Sequence, residues 1–188
     1  DTTNHIIACR RYLEHKLADT EQLIYGINTG FGALCHIRIS QSETEDLQHN
    51  LVQSHACGTG EEVPREIVRI MLFLKIRNLA YGHSGVRLEL VQRLIDHFNA
   101  GILPPVYQQG SLGASGDLAP LAHLSLPLIG LGEVWYQGER RAAASVLKEL
   151  GWGPLRLQSK EGLALLNGTQ FSTAYALWCL LEASRLAN

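Results

Sequence analysis

Apolar residues recur along most of the chain at the three-to-four-residue spacing of α-helices, and strand-like alternation is confined to short stretches. A first helix is predicted over residues 4–18, with Ile6, Ile7, Tyr12, Leu13 and Leu17 on its apolar face. A glycine-rich segment follows, then a second helix over residues 43–56. Pro64 opens a third, which runs to about residue 82, where the Gly82-His-Ser-Gly85 stretch ends it. Within that helix Ile67-Val-Arg-Ile-Met-Leu-Phe-Leu74 is apolar almost all round, which predicts burial on several sides, as in a multilayer bundle or an oligomer. A fourth helix over 87–100 precedes a loop that carries Pro104 and Pro105.

Farther along, residues 118–129 read as a buried helix bent or broken near Pro127, whose ring removes a backbone donor. Residues 133–136 and those after Gly138 predict a small hairpin around Gln137-Gly138. A short helix over 142–150 and a long one from about Thr169, announced by Asn167-Gly168-Thr169, complete the pattern. The expected fold is mainly α with one small β-hairpin. A helical N-terminal domain with a glycine-rich loop, about residues 1–110, leads into a second small-residue loop and the start of a long-helix bundle, about residues 111–188.

The chain has 188 residues, and 16 basic against 18 acidic side chains leave a net charge of −2. Nothing in that balance favours nucleic acid or a membrane surface as partner. Cys9, Cys35, Cys57 and Cys179 lack C-x-x-C spacing, and neither a signal peptide nor an uninterrupted apolar span is visible. A reducing cytoplasm without disulfides is the expectation. Because the chain opens at Asp1 and stops at Asn188 inside an apolar helical pattern, it is expected to be part of a longer polypeptide.

Chemistry concentrates in Gly113-Ala114-Ser115-Gly116-Asp117. If the amide nitrogen of Gly116 attacks the carbonyl carbon of Ala114, a small ring closes. Loss of water from the ring and of a second water from the Ser115 side chain leaves a methylidene conjugated to an imidazolone, an electrophile no ordinary side chain supplies. Ala114 hinders the attacked carbonyl little, Ser115 carries the leaving hydroxyl, and Gly116 has no Cβ to block the nucleophile. The same residues also read as a turn and helix start, with Asp117 as N-cap and Pro120 in the first turn. The partial positive charge of a helix beginning there would sharpen such an electrophile.

Tyr25-Gly-Ile-Asn-Thr-Gly-Phe-Gly32 lets the backbone approach a ligand closely, but it fits neither a dinucleotide fingerprint nor a Walker loop. Gly113 to Asp117 lacks the closing glycine of a serine-hydrolase elbow. Tyr25 is a candidate base or a packed tyrosine, and an ordinary tyrosine, ionising near ~10, is a weak base at neutral pH. His55, at the end of an amphipathic helix, reads as a capping or core histidine or as a ligand-binding one. Asn167 reads as a helix cap or a catalytic amide. The histidines form no metal-binding spacing, so neither metal nor nucleotide is expected.

Four segments occur in one order: Tyr25 to Gly32, Ser54-His55, Gly110-Ser-Leu-Gly-Ala-Ser-Gly-Asp-Leu-Ala-Pro-Leu121, and Leu165-Leu-Asn-Gly-Thr-Gln170. Over nearly the whole chain this order resembles the aromatic amino acid ammonia-lyases, most closely the histidine-specific members. The resemblance implies a 4-methylidene-imidazol-5-one (MIO) made autocatalytically from Ala114, Ser115 and Gly116, with Asp117 assisting cyclisation. It implies Tyr25 as base for the substrate β-proton, Asn167 near the prosthetic ring and the amine, and Gly32 and Leu118 lining the substrate pocket. Ser54-His55 matches the histidine-enzyme pattern, in which His55 hydrogen-bonds the substrate imidazole and disfavours phenylalanine. The implied reaction converts L-histidine to trans-urocanate and ammonia in a homotetramer. Family subunits are much longer, and their later part supplies an arginine and further glutamine, tyrosine and glutamate contacts. By itself the 188-residue piece is therefore expected to be inactive and to carry the triplet uncyclised. The alternatives are another MIO-dependent ammonia-lyase or aminomutase, or a non-catalytic fragment or assembly module.

Overall fold

The computed structural model describes residues 1–18, 22–30, 32–40, 43–113 and 116–187, with Leu34 described by its backbone alone. The helix that starts after Pro64, α3 (Arg65–Ala80), runs through the core, with Ile67, Val68, Met71, Leu72, Lys75 and Leu79 buried along it. It packs against α1 (Thr2–Ala18), α4 (Leu88–Ala100) and α8 (Gln170–Ala187). Burial does not extend all round, because Phe73 stays half exposed and Ile70 and Leu74 are only partly covered. On α1 the core line is Ile6 and Leu13, while Tyr12 points to solvent at 72% exposure. Tyr12 sits about 100° round the helix from Leu13, too far to share its face.

A second group of helices, α2 (Thr44–His55), α5 (Leu118–Ser125) and α7 (Glu161–Leu166), packs together beside this layer, and α5 also touches α8. α5 ends where expected: the chain tightens into a 3-10 turn over Leu126–Ile129 containing Pro127, and Gly130 closes it in the left-handed region. The hairpin pairs β3 (Glu133–Tyr136) with β4 (Glu139–Ala142), joined through Gln137 and Gly138, both at positive φ. With α6 (Ala143–Glu149) it covers a smaller core of Ile102, Val134, Tyr136, Ala143 and Val146.

Two elements depart from the sequence expectation. A second antiparallel ladder joins β1 (Thr59–Glu62) to β2 (Tyr107–Gln109), so the described residues hold two small sheets rather than one hairpin. Its strands are short and polar, and they pair across a long stretch of chain, so they lack the alternation that marks a strand. The other is α7, which at 6 residues is too short to persist alone.

Long-range contacts hold α7 in place. Gln48 Oε1 on α2 accepts the amides of Gly162 at 2.8 Å and Leu163 at 3.3 Å, capping the helix start. Glu161, fully buried, accepts from the Arg87 amide (2.9 Å), from Arg87 Nε (3.0 Å) and Nη2 (2.8 Å), and from the Gln158 amide (2.8 Å). The approach of α2 to α7 leaves no room for a side chain, since a Cβ on Gly162 would lie 2.8 Å from the Gln48 carbonyl oxygen. Gly162→Ala is therefore expected to lower stability by about 1–3 kcal/mol through overpacking. Urea unfolding reads this directly, and an unchanged midpoint would contradict so close a contact.

Candidate active site

Of the triplet Ala114, Ser115 and Gly116, only Gly116 is described; Ala114 and Ser115 lie outside the described residues, as does Phe31. Gly116 adopts φ +91, a conformation L side chains rarely take, and its N–H donates to the Gly113 carbonyl at 3.3 Å. A Cβ at this position would stand 3.2 Å from the Gly168 carbonyl oxygen and 3.9 Å from Asn167 Oδ1. Gly116 and Asn167 are thus neighbours, and the space between them is one that only a glycine leaves open. A cyclised residue without a Cβ fits this cradle, so the residues present are compatible with an imidazolone built from this triplet.

Asp117 fastens the cradle. It occupies the N-cap position of α5 but makes no side-chain capping bond to that helix. Its Oδ1 instead accepts from the hydroxyls of Ser111 and Ser172, both at 2.8 Å, and its Oδ2 accepts from the Ser172 amide at 2.9 Å. Ser172 lies in the first turn of α8, so the carboxylate caps a helix that begins far downstream. The Asp117 amide donates to the Gly168 carbonyl at 2.9 Å, which ties the triplet's end to the residue after Asn167. Leu118 follows as the first residue of α5, half-buried.

Asn167 is the residue that ends α7, in an extended conformation with φ −80 and ψ 133. Its carbonyl, and that of Ala164, accept from Lys75 Nζ at 2.8 and 3.2 Å. Lys75 is 1% exposed and was missed in the sequence. The signal was present, because it stands on the same stripe of α3 as Met71 and Leu79, where a charge needs a buried partner. Burial pushes its ammonium down to about 7, with the Asp117 charge offsetting part of that. Ser111 and Ser172 were also missed, since a serine carries no mark of which distant carboxylate it will serve.

Tyr25 lies in a loop that its own polar residues hold together. The Asn28 carboxamide oxygen accepts the Ile24 amide at 2.6 Å, and the Thr29 hydroxyl accepts the Gly26 amide at 3.1 Å. Backbone bonds from Gly30 to Ile37 and from Ile39 to Asn28 close it against the chain that follows. Tyr25 is 58% exposed, and its hydroxyl accepts the amide of Gly32, itself exposed, at 3.4 Å. His55 closes α2, and its Nδ1 is 2.9 Å from the Leu51 carbonyl and 3.2 Å from Ser54 Oγ. A carbonyl only accepts, so Nδ1 carries the proton and Nε2 of the neutral ring remains an acceptor. Gly58, just beyond, donates its amide to His123 Nε2 at 3.0 Å, which links the end of α2 to α5. The structure thus brings Gly116, Asp117 and Asn167 together, while Tyr25 with Gly32 and Ser54 with His55 sit on separate segments held by local bonds.

Among the described residues no group of three or more His, Cys, Asp or Glu side chains is placed to hold a metal. No described helix is long and apolar enough to cross a membrane.

Asp117 opens α5 and caps α8, so Gly116 is held beside two helix starts of a mainly helical chain. The profile of the aromatic amino acid lyase family matches it over residues 1–188, and the chain belongs to that family. It is 52% identical over 180 residues to a histidine ammonia-lyase of Deinococcus radiodurans, an alignment covering 96% of this chain and 34% of that protein. Among solved structures it resembles the histidine ammonia-lyase of Trypanosoma cruzi, with a TM-score of 0.87 and 41% identity over 99% of this chain and 35% of that one. It also resembles the phenylalanine aminomutase of Pantoea agglomerans, with a TM-score of 0.90 and 32% identity over 98% of this chain and 35% of that one. The chain spans about a third of the length of the curated relatives it matches.

The Lys75 ammonium has a measurable consequence. An unfolded lysine ionises near ~10.4, so between about 7 and that value the unfolded state binds more protons than the folded one. Lys75 therefore makes stability rise with pH across this window, by at most about 1.4 kcal/mol per pH unit. Denaturant unfolding of the chain and of Lys75→Met, compared across the window, should show this slope only in the former. Parallel curves would mean that Lys75 does not lose its proton on folding.

Proposed function

We propose that the complete polypeptide containing this chain is a histidine ammonia-lyase that eliminates ammonia from L-histidine to give trans-urocanate. One observation carries the reading most: Asn167 and the Asp117-fastened Gly116 meet in a cradle that admits no side chain, in a chain 52% identical to a named histidine ammonia-lyase. The MIO formed from Ala114, Ser115 and Gly116 would supply an electrophile that activates substrate for loss of ammonia. α5 begins two residues after Gly116, and the partial positive charge of its first turn would sharpen that electrophile.

The chain's own residues divide the remaining work. Tyr25 is the proposed base for the β-proton, on a loop whose backbone is fixed by Asn28 and Thr29. Asn167 lies beside Gly116 and is proposed to offer its carboxamide to the substrate amine. Gly32 and Leu118 line the pocket. His55, with Nδ1–H committed to Leu51, offers Nε2 as acceptor to an imidazole N–H, a bond that a phenyl ring cannot make. A homotetramer in the cytoplasm belongs to the same proposal, and the exposed Leu177, Leu180, Leu181 and Leu186 of α8 are apolar surface suited to a helical partner.

Activity is best read in a chimera joining residues 1–188 to the remaining two-thirds of the Deinococcus radiodurans relative. Urocanate formation from histidine, with none of the corresponding product from phenylalanine or tyrosine, is the expected result. The likeness to an aminomutase sets the rival outcome, a β-amino acid as main product, which would replace the lyase assignment.

Two substitutions in that chimera test the roles. Tyr25→Phe should lower kcat by about a hundredfold or more if Tyr25 takes the proton, and undiminished turnover removes it from the mechanism. His55→Ala should cost about tenfold to a hundredfold in kcat/KM for histidine and narrow the preference over phenylalanine. A uniform loss for both substrates would assign His55 a packing role instead.

A further inference from the structure

Among the buried ionisable residues that the proposed chemistry does not use, Lys75 lies behind the candidate site. It reaches across from α3 and is 1% exposed. Its two protein acceptors are the carbonyls of Ala164 and Asn167, at the end of α7. The carbonyl of the next residue, Gly168, accepts the Asp117 amide at 2.9 Å. Two successive peptides are therefore held, Asn167–Gly168 by Lys75 and Gly168–Thr169 by the residue that follows the triplet. The first peptide bears on the direction of the Asn167 carboxamide, and the second, whose plane follows from the first, supplies the wall 3.2 Å from where a Gly116 Cβ would lie.

We infer that Lys75 is a positioning residue of the active site: by clamping the Asn167–Gly168 peptide it sets the Asn167 carboxamide and the shape of the cradle in which the triplet cyclises. The inference rests on the ammonia-lyase reading but assigns a role to a residue outside its machinery. A helix end as short as α7 lacks the hydrogen bonds to hold its own exit, so an external donor must orient it. A lysine suits this place, because its Nζ–H donors pivot freely between two carbonyls, and when protonated its charge complements the negative end of the helix. An apolar side chain of similar length would fill the volume, leave both carbonyls without a donor and free the peptide to rotate.

The test is a double-mutant cycle in the chimera, with Lys75→Met and Asn167→Ala made singly and together. Three quantities are read: kcat and KM for histidine, the fraction of subunits lighter by two waters in intact mass, and the unfolding midpoint. Lys75→Met is expected to lower kcat by about tenfold to a hundredfold with little change in KM, as for a misplaced catalytic group. It is also expected to lower the ring-bearing fraction. In the Asn167→Ala background the same substitution should cost less than about threefold in kcat, since the group it positions is gone.

An equal loss in both backgrounds overturns the inference, as does a lowered unfolding midpoint with kcat and ring content unchanged. If Lys75→Met does not fold, Lys75→Gln enters the same cycle: its amide tolerates burial better but is too short to reach both carbonyls. Unsubstituted chimera that carries the ring yet leaves histidine untouched would refute the substrate assignment alone, and ring content across the variants would still decide the role of Lys75. Unsubstituted chimera without the ring overturns both.

Discussion

The Asp117 carboxylate organises the site because it has left water entirely and must find all of its partners in the protein. It finds them on the loop before the triplet, at Ser111, and at the start of α8, at Ser172, while its backbone holds Gly168. A single buried negative charge thereby fixes three stretches of chain relative to one another. Nearby, the Lys75 ammonium is buried behind the end of α7 and feels the Asp117 charge. Taking such groups out of water is costly, and hydrogen bonds within the protein offset that cost here. Gly116 and Asn167 lie beside each other between these two groups.

Beyond this centre the site rests on two kinds of support. His55, Leu118 and Asn167 stand at the ends of helices whose other faces enter the main core, so their positions inherit the rigidity of that core. Tyr25 and Gly32 belong to a loop that owes its shape to side chain to backbone bonds from Asn28 and Thr29. Such a loop keeps its local form without deep packing, and it presents Tyr25 largely exposed. An exposed segment with a stable local form suits the role proposed for Tyr25, which must meet a substrate arriving from solvent.

Most of the helices were legible in the chain itself. Pro64, the break at Pro127 and the turn at Gln137-Gly138 act over a few residues, and the structure places each as read. Misreadings arose at one helix face and wherever a distant partner decided. Tyr12 has the hydrophobicity of a core residue but the wrong angle on α1, while the polar strands β1 and β2 pair only because the fold brings them together. The helix α7 exists because Gln48, Arg87 and Lys75 satisfy its ends from elsewhere. Asp117 was read as the cap of its own helix, and it caps another.

What the sequence by itself determined is the helical class, the order of the motifs and the chemistry open to Ala114, Ser115 and Gly116. These follow from residue type and short-range spacing, and they survive without knowledge of the fold. Only the tertiary structure decided that Asn167 lies against Gly116, that Asp117 serves α8, and that a lysine in the middle of an apolar stripe lies behind the site. Those outcomes depend on how buried charges and helix ends find partners across the chain. The partners are chosen by packing in three dimensions, and no local pattern of residues encodes that choice.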